Sequence, residues 1–172
     1  MRVFFTFAIL AGGVTTLPAA DQSNGQNAQS KPAGADSSYT RVSDDDKQMD
    51  RAVENAQRTL GFFMAALKAK KDGDTVFEIK KGFIAGDKVE HLWIRRITYA
   101  GHNFHGQIDN QPTEVNNVHQ GQWVTVPPEA VTDWMFLKNG KLMGAYTTRV
   151  LYARLSPDDK AEFDKHAAFK VQ

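Results

Sequence analysis

Glu78, His91, Trp93 and Arg95 fall within a stretch that reads as two adjacent β-strands, and Asp133 lies on a later one. A carboxylate, an imidazole, an indole and a guanidinium on one face would make a surface able to hold an anion or stack a ring. Glu90 and His91 are neighbours, and neighbours on a strand point to opposite faces, so they cannot act as a direct acid/base couple. His91 can instead meet Glu78 diagonally across a hairpin. His102-x-x-His105 is the other histidine grouping, with His119 or Asp109 available as a third ligand for zinc or nickel. That segment reads as a loop entering a strand, where residues three apart do not reliably converge. His102 and His105 are therefore candidates only, and no metal and no cofactor is expected.

Several chemistries are excluded outright. The 172 residues contain no cysteine, which removes disulfides, thiol nucleophiles and thiolate metal sites. There is no Gly-x-Ser-x-Gly elbow, no glycine-rich phosphate loop after a strand, and no carboxylate pair nominated for glycoside hydrolysis. With 21 basic and 20 acidic side chains, the chain lacks the positive excess of a nucleic-acid binder.

The elements that must position these residues follow from hydrophobic period and turn chemistry. Ser43 and three aspartates open a helix in which Met49, Val53, Ala56, Leu60, Phe63 and Leu67 form one apolar stripe, and Asp72-Gly73-Asp74 ends it. Val76 to Ile84 and Val89 to Tyr99 flank the turn Ala85-Gly86-Asp87-Lys88, and the simplest register sets Ile84 opposite Val89. Phe77, Ile79, Leu92 and Ile94 then share the core face. The opposite face carries Glu78 across from Arg95 and Lys80 across from Trp93, with His91 one step along, and reads as a face the core does not need. Short strands follow at Phe104 to Ile108 and Gln122 to Val126, with a single helical turn at Pro128.

Asn139-Gly140 marks a two-residue hairpin joining Thr132–Lys138 to Lys141–Tyr152, with Met135 opposite Gly144 and Phe136 opposite Met143. Trp134, Phe136, Met143 and Leu151 occupy one face, and Met135, Leu137, Leu142, Tyr146 and Val150 the other. A hairpin apolar on both faces belongs at the centre, covered on both sides. Ser156 and Pro157 begin a last short helix, to about His166, anchored by Phe163. The fold class is α+β: an N-terminal amphipathic helix packed on a curled, mostly antiparallel sheet of about five to six strands, with a short C-terminal helix.

Before this domain come two segments of other character. Residues 1–20 read as a signal peptide, with Arg2 as n-region, Val3 to Val14 as apolar core and Leu17-Pro18-Ala19-Ala20 as exit. Residues 21–42, rich in Ser, Asn, Gln, Gly and Ala, read as a disordered linker. The folded unit is then 43–172, periplasmic or secreted, with no stable membrane span after signal removal and a formally neutral mature chain.

From Phe77 to Leu151 the sequence resembles the YegJ-like bacterial domain of unknown function, number twenty-three fourteen. The resemblance rests on Phe77-x-Ile79-Lys80-Lys81-x-Phe83, Glu90-His91-x-Trp93, Phe104-x-Gly106-x-Ile108-x-Asn110-x-Pro112, Gly121-x-x-Val124-x-Val126, Asp133-Trp134-Met135, Asn139-Gly140-Lys141 and Gly144-x-Tyr146-Thr147-x-Arg149. It implies a stand-alone or appended bacterial module and brings no activity, cofactor or catalytic residue with it.

The expected function is a non-enzymatic binding or interaction module of the cell envelope, with a protein or small-molecule partner and no nucleic acid. Its candidate ligand-binding residues are Glu78, His91, Trp93, Arg95 and Asp133. The alternatives are a cell-wall-directed hydrolase or lyase, which needs Glu78, His91 and Asp133 to converge in a pocket, and an immunity or inhibitor protein against a toxin.

Overall fold

A computed structural model describes residues 2–6, 39–42 and 46–171. Most of the signal and linker readings lie outside these residues. Within them, β1 (Arg2–Thr6) and β2 (Tyr39–Val42) pair antiparallel, and β1 runs parallel to the start of β4, Val3 beside Val89.

Helix α1 (Lys47–Ala69) starts at Asp46, whose carboxylate accepts from the backbone N–H of Gln48 and Met49; Ser43 lies outside the described residues. The stripe Met49, Ala56, Leu60, Phe63 and Leu67 is buried as its spacing requires, with Ala52 buried and Val53 only half-buried. Strands β3 (Asp74–Ala85), β4 (Lys88–Ala100), β5 (Asn103–Ile108), β6 (Trp123–Val126), β7 (Val131–Lys138) and β8 (Lys141–Gly144) pair antiparallel throughout. The order β2-β1-β4-β3-β7-β8 puts β4 and β3 at the centre, while β5 and β6 extend from the far half of β4; the β7–β8 hairpin expected at the centre lies to one side, with β8 at the edge. Both expected hairpin registers hold: Ile84 faces Val89, and Met135 faces Gly144. The fold is α+β.

The sheet is covered on both faces by two cores. On one, Phe63, Leu60 and Leu67 of α1 pack on Ile79, Leu92, Ile94, Trp134 and Phe136. The Trp134 indole N–H donates to the Ala56 carbonyl at 3.0 Å and ties the helix to β7. On the other, Trp93, Met135, Leu137 and Leu142 lie under Leu151, Phe163 and Phe169.

Two expectations are corrected here. The strand expected over Lys141–Tyr152 stops at Gly144, and Tyr146–Arg154 forms helix α2. The switch is local: Gly144 and Ala145 take φ of +71° and +57°, and a Cβ at Gly144 would lie 2.2 Å from the Trp134 carbonyl oxygen. The second correction concerns the Lys80–Trp93 face. It is not free of the core, because α2 and α3 (Pro157–His166) fold back over it and bury Trp93 and Lys80 completely. Ser156 caps α3 through the Asp159 amide, as its sequence indicates.

Candidate functional site

Strands β3 and β4 pair from the turn out to Ile79 and Ile94 and then diverge. Beyond that point β3 continues along β7 and β4 along β5, and each departure has an irregularity, between Thr75 and Glu78 and between Arg95 and Thr98. Val76 and Arg96 both take φ of +55° there. A β-branched residue with positive φ is an uncommon, strained conformation of the kind that concentrates at functional sites. The diverging strands and the end of α1 border an open cavity of about 460 Å³, whose walls include Phe77, Glu78, Arg95, Arg96, Leu67 and Lys70. Gly106 makes the divergence possible: a Cβ on it would meet the Arg95 carbonyl oxygen at 2.6 Å.

Glu78 forms one wall of this fork. It is 2% exposed, and its Oε2 has no hydrogen-bond partner. A buried unpaired carboxyl oxygen costs roughly 1 to 3 kcal/mol, so its retention calls for an explanation beyond packing. Burial, then the charge of Asp109, pushes the Glu78 carboxyl up to about 8 against the opposing pull of Arg95 and Lys80. The cross-strand Glu78–Arg95 ion pair anticipated from register does not form. Arg95 turns to Asp109, Nε to Oδ1 at 3.0 Å, as a close ion pair whose N–H is not aligned for a hydrogen bond.

His91, Trp93 and Asp133 lie elsewhere. The Asp133 carboxylate accepts from the backbone N–H of Trp134 (2.8 Å), Tyr146 (3.1 Å) and Thr147 (2.8 Å) and from the Thr147 hydroxyl (2.5 Å). It therefore caps the first turn of α2 from a neighbouring strand. Burial pushes this carboxyl up, while Lys80 and the Thr147 donors pull it down. Lys80 Nζ donates to the Thr147 hydroxyl at 2.9 Å and sits 4.4 Å from the Trp93 ring centroid. Burial lowers the Lys80 ammonium to about 8, opposed by Asp133 and Glu78. His91 Nδ1 is 2.9 Å from the Thr132 hydroxyl, and burial, with Lys80 and Lys81 nearby, drops the imidazole to about 3, so it stays neutral at physiological pH.

Glu78 thus shares the cavity with Arg95, whereas His91, Trp93 and Asp133 support the interior. The convergence of Glu78, His91 and Asp133 that a hydrolase would need is not formed. His102 is exposed, His105 bonds Thr125 and the Ala100 carbonyl, and among the described residues no three His, Asp or Glu side chains are grouped to hold a metal.

The Glu90 and Asn110 motifs also find structural employment. Glu90 is fully buried and accepts from the amides of Thr113, Glu114 and Val115, while Asn110 Oδ1 accepts from Trp93 N. Lys70 and Arg96 were absent from the sequence candidates. The adjacent pair Arg95-Arg96 held the signal, because two consecutive arginines reach one cavity only where a bulge breaks the strand's alternation.

Two relatives are similar over much of the chain. A Neisseria meningitidis serogroup B protein named as an ankyrin repeat protein is 30% identical over 137 residues, 75% of this chain and 54% of its own length. The Escherichia coli K12 protein YegJ, itself described as uncharacterized, is 36% identical over 103 residues, 59% of this chain and 66% of its own. The chain therefore spans less than two thirds of either relative. No solved structure matches it. A family model matches residues 46–171, from the α1 cap through the tail that closes the second core, and the chain belongs to that family, the uncharacterized proteins conserved in bacteria (DUF2314).

Proposed function

We propose that this chain is an exported, non-enzymatic binding module whose site is the fork between β3 and β4. The observation that carries the reading is Glu78: a carboxyl 2% exposed, with an unpartnered oxygen, in the wall of a cavity of about 460 Å³ that also presents Arg95 and Arg96. Cavities of roughly 300 to 1,000 Å³ with apolar walls and a few convergent polar groups are typical small-ligand sites. The apolar run and small-residue exit of residues 1–20 support export to the periplasm.

The test is native mass spectrometry of the full chain produced in a bacterial host and exposed to envelope extract. Wild type should carry a small molecule that the Glu78→Leu, Arg96→Ala variant does not. A species retained by the folded variant, or no bound species at all, overturns the fork as a binding site. Recovery of the chain only from the cytoplasm overturns export.

A further inference from the structure

The fork does not end at Glu78. A second cavity of about 590 Å³ continues from it along the last turns of α1, sharing Leu67, Lys70, Ile97 and Thr98 and adding Met64 and Tyr99. Across the two cavities the charged lining is Lys68, Lys70, Arg95 and Arg96 against one carboxyl, Glu78. Arg95 is already held by Asp109, so three cations are left, Arg96 and Lys70 in the cavity that Glu78 lines and Lys68 along the continuation. The continuation is walled chiefly by the apolar side chains of Met64, Leu67, Ile97 and Tyr99.

We propose that this continuous groove binds a free medium-chain fatty acid, its carboxylate between Arg96, Lys70 and the Glu78 carboxyl and its alkyl tail along α1 toward Met64 and Tyr99. The inference rests on the binding reading above and names its ligand class. Charge selects an anion, since an amine or guanidinium would face a rim of like charge. A single apolar tail matches the second cavity. A peptide is the competing ligand, because β5 covers one edge of β4 while the edge that β3 leaves past Ile94 stays open beside the cavity, and the competition below decides between the two.

Glu78 sets the pH behaviour. The charged groups acting on it are Asp109, Arg95 and Lys80, with Arg96 and Lys70 lining the same cavity. Below about 8 it is a neutral acid whose O–H donates to the ligand carboxylate; above, it is a second anion facing the first. Lys80 loses its proton in the same range, so the wild-type profile alone cannot assign the slope.

The experiment is isothermal titration of the full chain with decanoate, below its micellar concentration, at pH 6.5 and pH 9. Wild type should bind about tenfold more weakly at the higher pH. Glu78→Gln should retain binding with the pH difference reduced to about twofold or less, and Lys70→Ala, Arg96→Ala should lose about tenfold at both pH values. A slope that persists in Glu78→Gln overturns the role of Glu78. Heat unchanged in the double variant places decanoate elsewhere and overturns the site. Decanol or decylamine binding as well as decanoate, or a peptide with an apolar C-terminus competing better, overturns the ligand class while leaving the fork a binding site. Failure of all four probes overturns the inference, and the mass-spectrometric test then decides separately whether the fork binds anything.

Discussion

Arg95 and Asp109 form an ion pair, Nε to Oδ1 at 3.0 Å, and that pairing commits to another carboxylate the cation that acts most strongly on Glu78. The guanidinium still pulls the Glu78 carboxyl down through space, but burial and the Asp109 charge outweigh it. Asp109 thus acts twice on Glu78, by holding Arg95 away and by adding a like charge. The consequence is a carboxyl that stays protonated at neutral pH in a cavity wall shared with Arg95 and Arg96.

That protonation makes stability fall between pH 6.5 and 8. The folded Glu78 binds its proton up to about 8, while the unfolded carboxyl releases it near 4.5, so the folded state holds the extra proton and loses this advantage as pH rises through the folded value. His91 acts in the opposite sense only between about 3 and 6.5, and Lys80 only from about 8 to 10.5. The window between 6.5 and 8 therefore isolates Glu78 among these three. Urea denaturation across it should show declining stability in wild type and a shallower decline in Glu78→Gln, since burial also raises the Asp109 and Asp133 carboxyls.

The parts of this arrangement legible in the sequence were those set by local rules. Period placed Leu60, Phe63 and Leu67 on one face of α1, and turn chemistry set both hairpin registers through Asp87 and Asn139-Gly140. The fork was not legible, because register predicts pairing and says nothing of where pairing stops. Continuing the β3/β4 alternation past Ile79 set Glu78 against Arg95, whereas bulges at both strands send each to a different neighbour. Nor could alternation show that the Trp93 face is covered. Its lid is α2, and α2 exists because Asp133, thirteen residues before Tyr146, supplies acceptors to its first turn. Such a cap leaves no local signature in a Lys141–Tyr152 stretch that alternates like a strand.

Gly106→Ala tests the geometry of the fork without touching a charged group. The new methyl would lie 2.6 Å from the Arg95 carbonyl oxygen and 2.7 Å from Ile97 Cδ1. Backbone must shift to relieve the first contact, costing about 1 to 3 kcal/mol. Gly82→Ala is the comparison, since its nearest contacts, to His91 and Val89 side chains, are at 3.1 Å. Chemical denaturation should find Gly106→Ala the more destabilised of the two. Equal stability would mean that β4 accommodates a side chain at its bulge.

Asp133 and Lys80 should be strongly coupled through Thr147, which bonds both. Asp133→Ala strips the first turn of α2 of its acceptors and leaves Lys80 buried without its principal counter-charge, a loss of about 3 to 5 kcal/mol. With Lys80→Met already in place, the same change should cost less, because no buried cation is stranded. A double-mutant cycle read by urea unfolding measures the difference, and additivity within about 0.5 kcal/mol would show that the two residues act independently.

Arg96→Gly separates the stability of the fork from its use. At φ of +55° the arginine holds a conformation that glycine adopts without strain. Relief of about 1 to 3 kcal/mol, less about 0.5 to 1 kcal/mol for glycine's greater freedom in the unfolded chain, predicts a variant at least as stable as wild type. The same substitution removes a cation from the cavity wall, so retention of decanoate should fall while the melting temperature holds or rises. That opposition is the signature of a residue kept for binding at a cost in stability. An Arg96→Gly chain that melts lower than wild type would instead give the side chain a packing role, and the positive φ would then be part of the scaffold.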